Sequence, residues 1–201
     1  MKPSLLLATG NAGKLKEFKE LAEGLSSTIN IVTPIELDIS LNFNEGSGTY
    51  KEIARRKSQQ AETQSSLPSM AEDAGLEVDA LDGFPGIKSA RFMGKTSSYT
   101  DKIDALLALL DKIPFIERTA RYHSFIAISM EHEIVLESQG VWEGLIATAP
   151  RGKRGFGYDP IFFLPTFRKT AAEISIAAKN KISHRAMAFN AIVPKLKKIF
   201  N

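Results

Sequence analysis

Apolar residues along this chain follow two rhythms. Ser4 to Ala8 is a short, nearly unbroken apolar run, as expected of a buried strand. After the polar loop Thr9 to Gly13, Lys14 to Glu23 carries Leu15, Phe18, Leu21 and Ala22 at helical spacing. Ile29 to Val32 predicts a second strand, and Leu41 to Gly48 a loop. Thr49 to Gln64 predicts a helix, because Thr49 and Glu52 have the spacing of a capping box. Leu67 to Asp73 predicts a short strand ending in acids. Leu76 to Leu81 predicts extended chain, followed by the turn-rich Asp82 to Gly86. Thr100 to Lys112 predicts a helix that Pro114 ends. Thr119 to Met130 and Glu133 to Val141 predict a long hairpin, followed by the Gly- and Arg-rich loop Ala149 to Asp159. Ile161 to Leu164 predicts one more strand and Ile182 to Phe200 a terminal helix.

Helices mixed with hairpin and crossover strands predict an α/β fold: a mixed twisted sheet with flanking helices. The 201 residues, 43% of them hydrophobic, suffice for one domain over 1–201, the leading expectation, and two lobes sharing a cleft would also fit. The charge of +3 arises from 26 basic and 23 acidic residues. That mild excess suits a phosphate-bearing ligand, and with no long Lys/Arg run it predicts no stable nucleic-acid partner. With no cysteine, disulfides, thiolate metal sites and cysteine nucleophiles are excluded. Leu5 to Leu7 is too short for a signal peptide, and no apolar stretch reaches the ~18 residues of a membrane span. A soluble cytoplasmic protein is expected.

Four segments carry candidate chemistry. The first, Thr9-Gly10-Asn11-Ala12-Gly13-Lys14, joins a strand to a helix, so backbone N–H groups, the helix dipole and the Lys14 ammonium could meet an oxyanion. It is neither a Walker A loop nor a dinucleotide fingerprint, and an ordinary βα turn also explains it. In the second, Glu72 and Asp73 are adjacent carboxylates where an apolar run ends, suited to a hard cation such as Mg2+. Glu45 and Glu52 could add to them, although capping alone explains Glu52. The third is Arg151 to Pro160, where Gly155 and Gly157 flank Phe156 and leave its ring accessible for stacking on a base; packing in the core is the alternative. Ser183 is a plausible N-cap, which puts the cations His184 and Arg185 in a helical first turn. The dipole disfavours cations there unless something electron-rich, such as a keto oxygen, faces them. With no cysteine, and with His123 and His132 in the hairpin, zinc is not indicated.

Together these segments resemble the inosine triphosphate pyrophosphatase family. The resemblance is carried by Leu7 to Lys14, Glu72 to Leu76, Gly83 to Phe92, Gly155 to Phe162 and Ser183-His184-Arg185, with Lys179 four residues before Ser183. It implies two lobes around a central cleft and, usually, a homodimer. The implied activity is Mg2+-dependent hydrolysis of ITP, dITP or XTP to the monophosphate and pyrophosphate, cleansing the nucleotide pool. Residue by residue, it implies that Thr9, Gly10, Asn11, Ala12, Gly13 and Lys14 bind triphosphate. Glu45 and Asp73 would hold magnesium with Glu72 beside them, Asp73 would also act as general base, and Lys57 would orient phosphate and water. Phe156, Gly157, Tyr158, Asp159, Lys179, His184 and Arg185 would form the base pocket. Two departures bear on affinity: Ala74 stands where a substrate-contacting Ser is common, and Ile53 where an Asn is frequent. A pyrophosphatase for modified pyrimidines or 7-methyl-GTP, and a non-catalytic nucleotide or RNA binder, are the competing readings.

Overall fold

Strand β1, Ser4–Leu7, supplies alternate side chains to two cores. Leu5 and Leu7 pack with Phe18, Ile126, Phe189 and Ile192, while Leu6 packs with Ala8, Ala61 and Ala71. A strand covered on both faces has no polar alternation, which is why its sequence reads as an unbroken apolar run. The protein is described from a computed structural model that covers residues 2–44, 46–94 and 96–200.

Two compact units emerge, each with its own core. The first comprises residues up to 73, 124–140 and from 184 onward. It holds β1, α1 (Ala12–Leu21), β2 (Asn30–Val32), α2 (Tyr50–Ser65) and the first half of β3 (Ser69–Val78). β1 pairs in parallel with both β2 and β3, the second register being Leu6↔Ser69 and Leu7↔Met70. The capping box at α2 forms: Thr49 Oγ1 accepts from the Glu52 N–H, and Glu52 Oε2 accepts from the Thr49 N–H at 2.8 Å.

The second unit comprises 74–123 and 141–183, with a core of Leu76, Leu106, Tyr122, Trp142, Tyr158 and Phe162 among others. It holds β4 (Pro85–Gly86), α3 (Tyr99–Leu109), β7 (Phe162–Leu164), β8 (Lys169–Thr170) and α4 (Ile176–Ile182). β5 (Thr119–Met130) and β6 (Glu133–Ile146) belong in part to each unit. The turn between them, Glu131 and His132, has positive φ at both residues, as a two-residue hairpin turn requires. Helix α5 (His184–Ile199) completes the first unit. Strand order is β2-β1-β3-β5-β6-β7-β8, with β4 on β3, so the fold is a mixed α/β sheet with flanking helices. No helix among the described residues is long and apolar enough to cross a membrane.

Four predicted boundaries move. α1 starts at Ala12 rather than Lys14, because Asn11 supplies the cap. β6 runs on to Ile146 instead of stopping at Val141, since its last residues pair with β7. The terminal helix α5 starts at His184 rather than Ile182, because Ser183 has extended backbone and ends a separate helix, α4, capped by the Ser175 side chain. Most consequential, β3 does not stop at the acids. Its start is held by β1 and its end by β4, through Leu76↔Gly86 and Glu77↔Pro85, so residues 72–75 stay in the strand.

Candidate active site

The loop Thr9 to Gly13 joins β1 to α1. Asn11 is extended, and its Oδ1 accepts the Lys14 N–H at 3.0 Å, while Thr9 Oγ1 accepts the Asn11 N–H at 3.2 Å. Both caps are local, so Thr9 to Gly13 is shaped by its own side chains. The first turn of α1 holds no acid, which leaves its positive end without an internal counter-charge. Gly10 and Ala12 are exposed, and a Cβ on Gly10 would meet no atom within 4 Å. Room for a ligand against this backbone is therefore present.

The register Leu7↔Met70 ends the β1–β3 pairing, so Glu72 and Asp73 continue past the carboxyl end of β1, where the loop begins. Side chains alternate along a strand. Met70 belongs to the core with Phe18 and Phe189, and Ala71 to the core with Ala61 of α2. Glu72 follows Met70, and Asp73 follows Ala71. Their partners divide accordingly. Glu72 Oε2 lies 3.2 Å from Lys14 Nζ and accepts from Arg185 Nε at 3.1 Å and Nη2 at 3.0 Å. Asp73 Oδ1 lies 3.5 Å from Lys57 Nζ of α2. The adjacent acids thus serve opposite faces of the sheet.

Arg185 is 2% exposed and is shared by two carboxylates, since its Nη1 pairs with Glu17 of α1. Burial favours a neutral Glu72, but Arg185 and then Lys14 outweigh it and hold the carboxyl well below the usual carboxylate range. Burial also lowers the Lys14 ammonium from its ordinary value, against the pull of Glu72. Sequence reasoning missed Glu17, Ser124 and Gly140. Glu17 lies three residues after Lys14 and four before Leu21, on the apolar stripe of α1, and that was the available signal. A Cβ on Gly140 would stand 2.1 Å from the His184 carbonyl, so only glycine lets β6 approach the start of α5 this closely. His184 is itself buried.

In the second unit, the 155–159 loop closes on itself. Asp159 Oδ2 accepts the Phe156 N–H at 2.9 Å and pairs with the buried Lys179, whose ammonium lies 5.2 Å from the Phe156 ring centroid. Gly155 (φ 73°) and Gly157 (φ 68°) are left-handed, and a Cβ on Gly155 would fall 2.0 Å from Asp159 Oδ2. Phe156 is half-buried. Tyr158 is a core residue: its hydroxyl donates to the Ser89 carbonyl at 3.0 Å, and its ring meets Tyr99 edge-on at 5.5 Å.

The structure thus brings Lys14, Glu72 and Arg185 together, and Lys57 with Asp73, in the first unit. Phe156, Asp159 and Lys179 gather in the second, and Ala74 opens the second unit's share of β3. Glu45 lies outside the described residues. Glu52 is engaged by its cap, and Ile53 is fully buried in α2. No group of three or more His, Cys, Asp or Glu among the described residues forms a ready metal cage.

The chain matches the model of the Ham1 family over residues 5–195. It is 40% identical over 194 residues to the dITP/XTP pyrophosphatase of Xanthomonas axonopodis pv. citri (strain 306), covering 96% of each chain. Among solved structures it is similar to a HAM1 protein from Coxiella burnetii, with TM-score 0.86 and 37% identity over 98% of this chain and 99% of that one. The Ham1 protein of Staphylococcus aureus gives TM-score 0.84 and 34% identity over the same shares.

Proposed function

The chain belongs to the Ham1 family, and we propose from that membership that it hydrolyses ITP, dITP and XTP to the monophosphate and pyrophosphate. The observation that carries the reading is the junction of loop and strand: the Lys14 ammonium of the anion loop is bonded to Glu72, the residue next to Asp73.

Asp73 suits magnesium. It is an oxygen donor at the end of the β1–β3 ladder, and Mg2+ commonly takes one or two carboxylates and completes its shell with phosphate oxygens and water. The resemblance adds Glu45 as a second carboxylate. Glu72 does not suit it, because its oxygens already accept from Arg185, Lys14 and Ser124. When bound, the ion would neutralise phosphate charge and acidify water.

The chain's own residues account for the rest. The loop N–H groups and Lys14 bind the β- and γ-phosphates and counter the charge that builds on pyrophosphate as it leaves. Asp73 accepts the proton of the attacking water, whose oxygen bonds to the α-phosphorus as the bond to the bridging oxygen breaks. Lys57, 3.5 Å from Asp73, orients that carboxylate, the phosphate and the water. Phe156 offers its ring to the base beside Lys179. A site that donates to a 6-keto oxygen penalises adenine by leaving buried donors unpaired. We place the enzyme in the cytoplasm, as a homodimer that cleanses the nucleotide pool.

The test is a panel of ITP, dITP, XTP, GTP, ATP, dUTP and 7-methyl-GTP with Mg2+, with pyrophosphate and orthophosphate assayed separately. Pyrophosphate released chiefly from ITP, dITP and XTP is expected. Orthophosphate as the first product, or preference for dUTP or 7-methyl-GTP, would overturn the assignment. Asp73→Asn removes base and metal ligand together. It should lower turnover by roughly 10²-fold or more while circular dichroism stays that of the native chain.

A further inference from the structure

Glu72 is the acid that its position beside Asp73 most invites one to count as a metal ligand, and its surroundings argue otherwise. Oε1 accepts from Ser124 Oγ at 2.6 Å, while Oε2 faces Arg185 Nε, Arg185 Nη2 and Lys14 Nζ at 3.0–3.2 Å. A carboxylate offers about four lone-pair sites, and four donors already face this one. Its side chain is 1% exposed and serves the sheet face opposite that of Asp73. Two acids on opposite faces of one strand do not chelate a common ion.

We propose that Glu72 is a positioning residue: it fixes the Lys14 ammonium for the triphosphate and takes no part in holding the metal. The inference rests on the reading that the loop takes phosphate and Asp73 takes magnesium. Lys14 bonds to both the carboxylate and the backbone carbonyl of Glu72, the latter at 3.4 Å. A lysine on a mobile stem must surrender rotamer freedom when it meets a phosphate; one tethered twice has already done so. Arg185 and Glu17 extend the set to two cations and two anions, so the carboxylate that holds Lys14 is itself held from a second side.

The test separates phosphate from metal. Inorganic pyrophosphate is titrated by calorimetry at saturating Mn2+, and Mn2+ alone by electron paramagnetic resonance, on the wild-type chain and on Glu72→Gln. Loss of one charge-assisted contact predicts a pyrophosphate Kd weakened roughly tenfold, with Mn2+ affinity unchanged. Glu72→Asp keeps the charge and should recover most of the pyrophosphate affinity. An unchanged pyrophosphate Kd with Mn2+ affinity lost in Glu72→Gln would overturn the proposal and make Glu72 a ligand. If the Gln variant fails to fold, the same two titrations on Glu72→Asp decide between the roles: pyrophosphate affinity mostly retained with Mn2+ affinity unchanged supports positioning, and a loss of Mn2+ affinity overturns it. Asp73→Asn run in parallel tests the other reading: unaltered Mn2+ binding there removes Asp73 as the metal's holder, while the role of Glu72 is still read from pyrophosphate.

Discussion

Arg185→Met is the perturbation that probes this interior most directly. The guanidinium is 2% exposed and pairs with Glu17 and Glu72, whose side chains are 3% and 1% exposed. Breaking a buried ion pair from one side costs about 3–5 kcal/mol, because the remaining charge stays desolvated and uncompensated. Glu72 would still hold Lys14 and Ser124, so the lower end applies, about 3 kcal/mol. For a chain of this size each kcal/mol moves Tm by about 2–4 °C, which gives a fall of roughly 6–12 °C by differential scanning calorimetry at pH 7.5. The sign with pH follows from the same charges. In the wild type the folded Glu72 carboxyl lies below its ordinary value of 4.5, so its contribution is fully present above 4.5 and lost as pH falls through the folded value. Without Arg185 the folded value rises, so less of that contribution is present and the variant's deficit should shrink as the pH falls through the acid range. The triple variant Glu17→Gln, Glu72→Gln, Arg185→Met should regain part of the lost stability, since the two acids are no longer desolvated charges and only Lys14 loses its partner. A single variant melting within about 2 °C of wild type, or a deficit that grows toward acid, would refute the reasoning.

Phe156→Ala should raise KM for ITP by roughly 5- to 150-fold, the value of about 1–3 kcal/mol of base stacking, with a smaller change in kcat; an unchanged KM would remove Phe156 from the base site. Gly155→Ala places a Cβ 2.0 Å from Asp159 Oδ2 at a left-handed φ. It should cost about 1–3 kcal/mol in a thermal melt, and KM should rise as the Asp159 bonds to Phe156 and Lys179 are broken; a native-like melt and KM would show that the loop yields at no cost.

Features set by neighbours in sequence were legible before the structure. Thr49 and Glu52 announced the cap of α2, because both partners of that motif lie within one turn. Thr119 to Met130 was readable to the residue from its β-rich run. The Thr9 to Lys14 junction of strand and helix was legible because its shape depends on Thr9 and Asn11 side chains two or three residues away. Helix α4 was missed, for seven residues carry too little periodicity to be distinguished from a loop.

The role of Glu72 was not legible, because its partners are far off along the chain: Ser124 is 52 residues away and Arg185 is 113. Nothing in the local pattern could say that β3 runs straight through Glu72-Asp73-Ala74-Gly75. Turn-forming chemistry there is overruled by pairing to β1 at one end and β4 at the other. Once the strand continues, alternation sends the two acids to opposite faces, one toward Lys14 and Arg185, the other toward Lys57. The sequence by itself determined which residues could do chemistry and what kind, since charge, caps and apolar period are local properties. Which of two neighbouring carboxylates meets Lys14 and Arg185, and which meets Lys57, was decided only by long-range pairing of strands and helices.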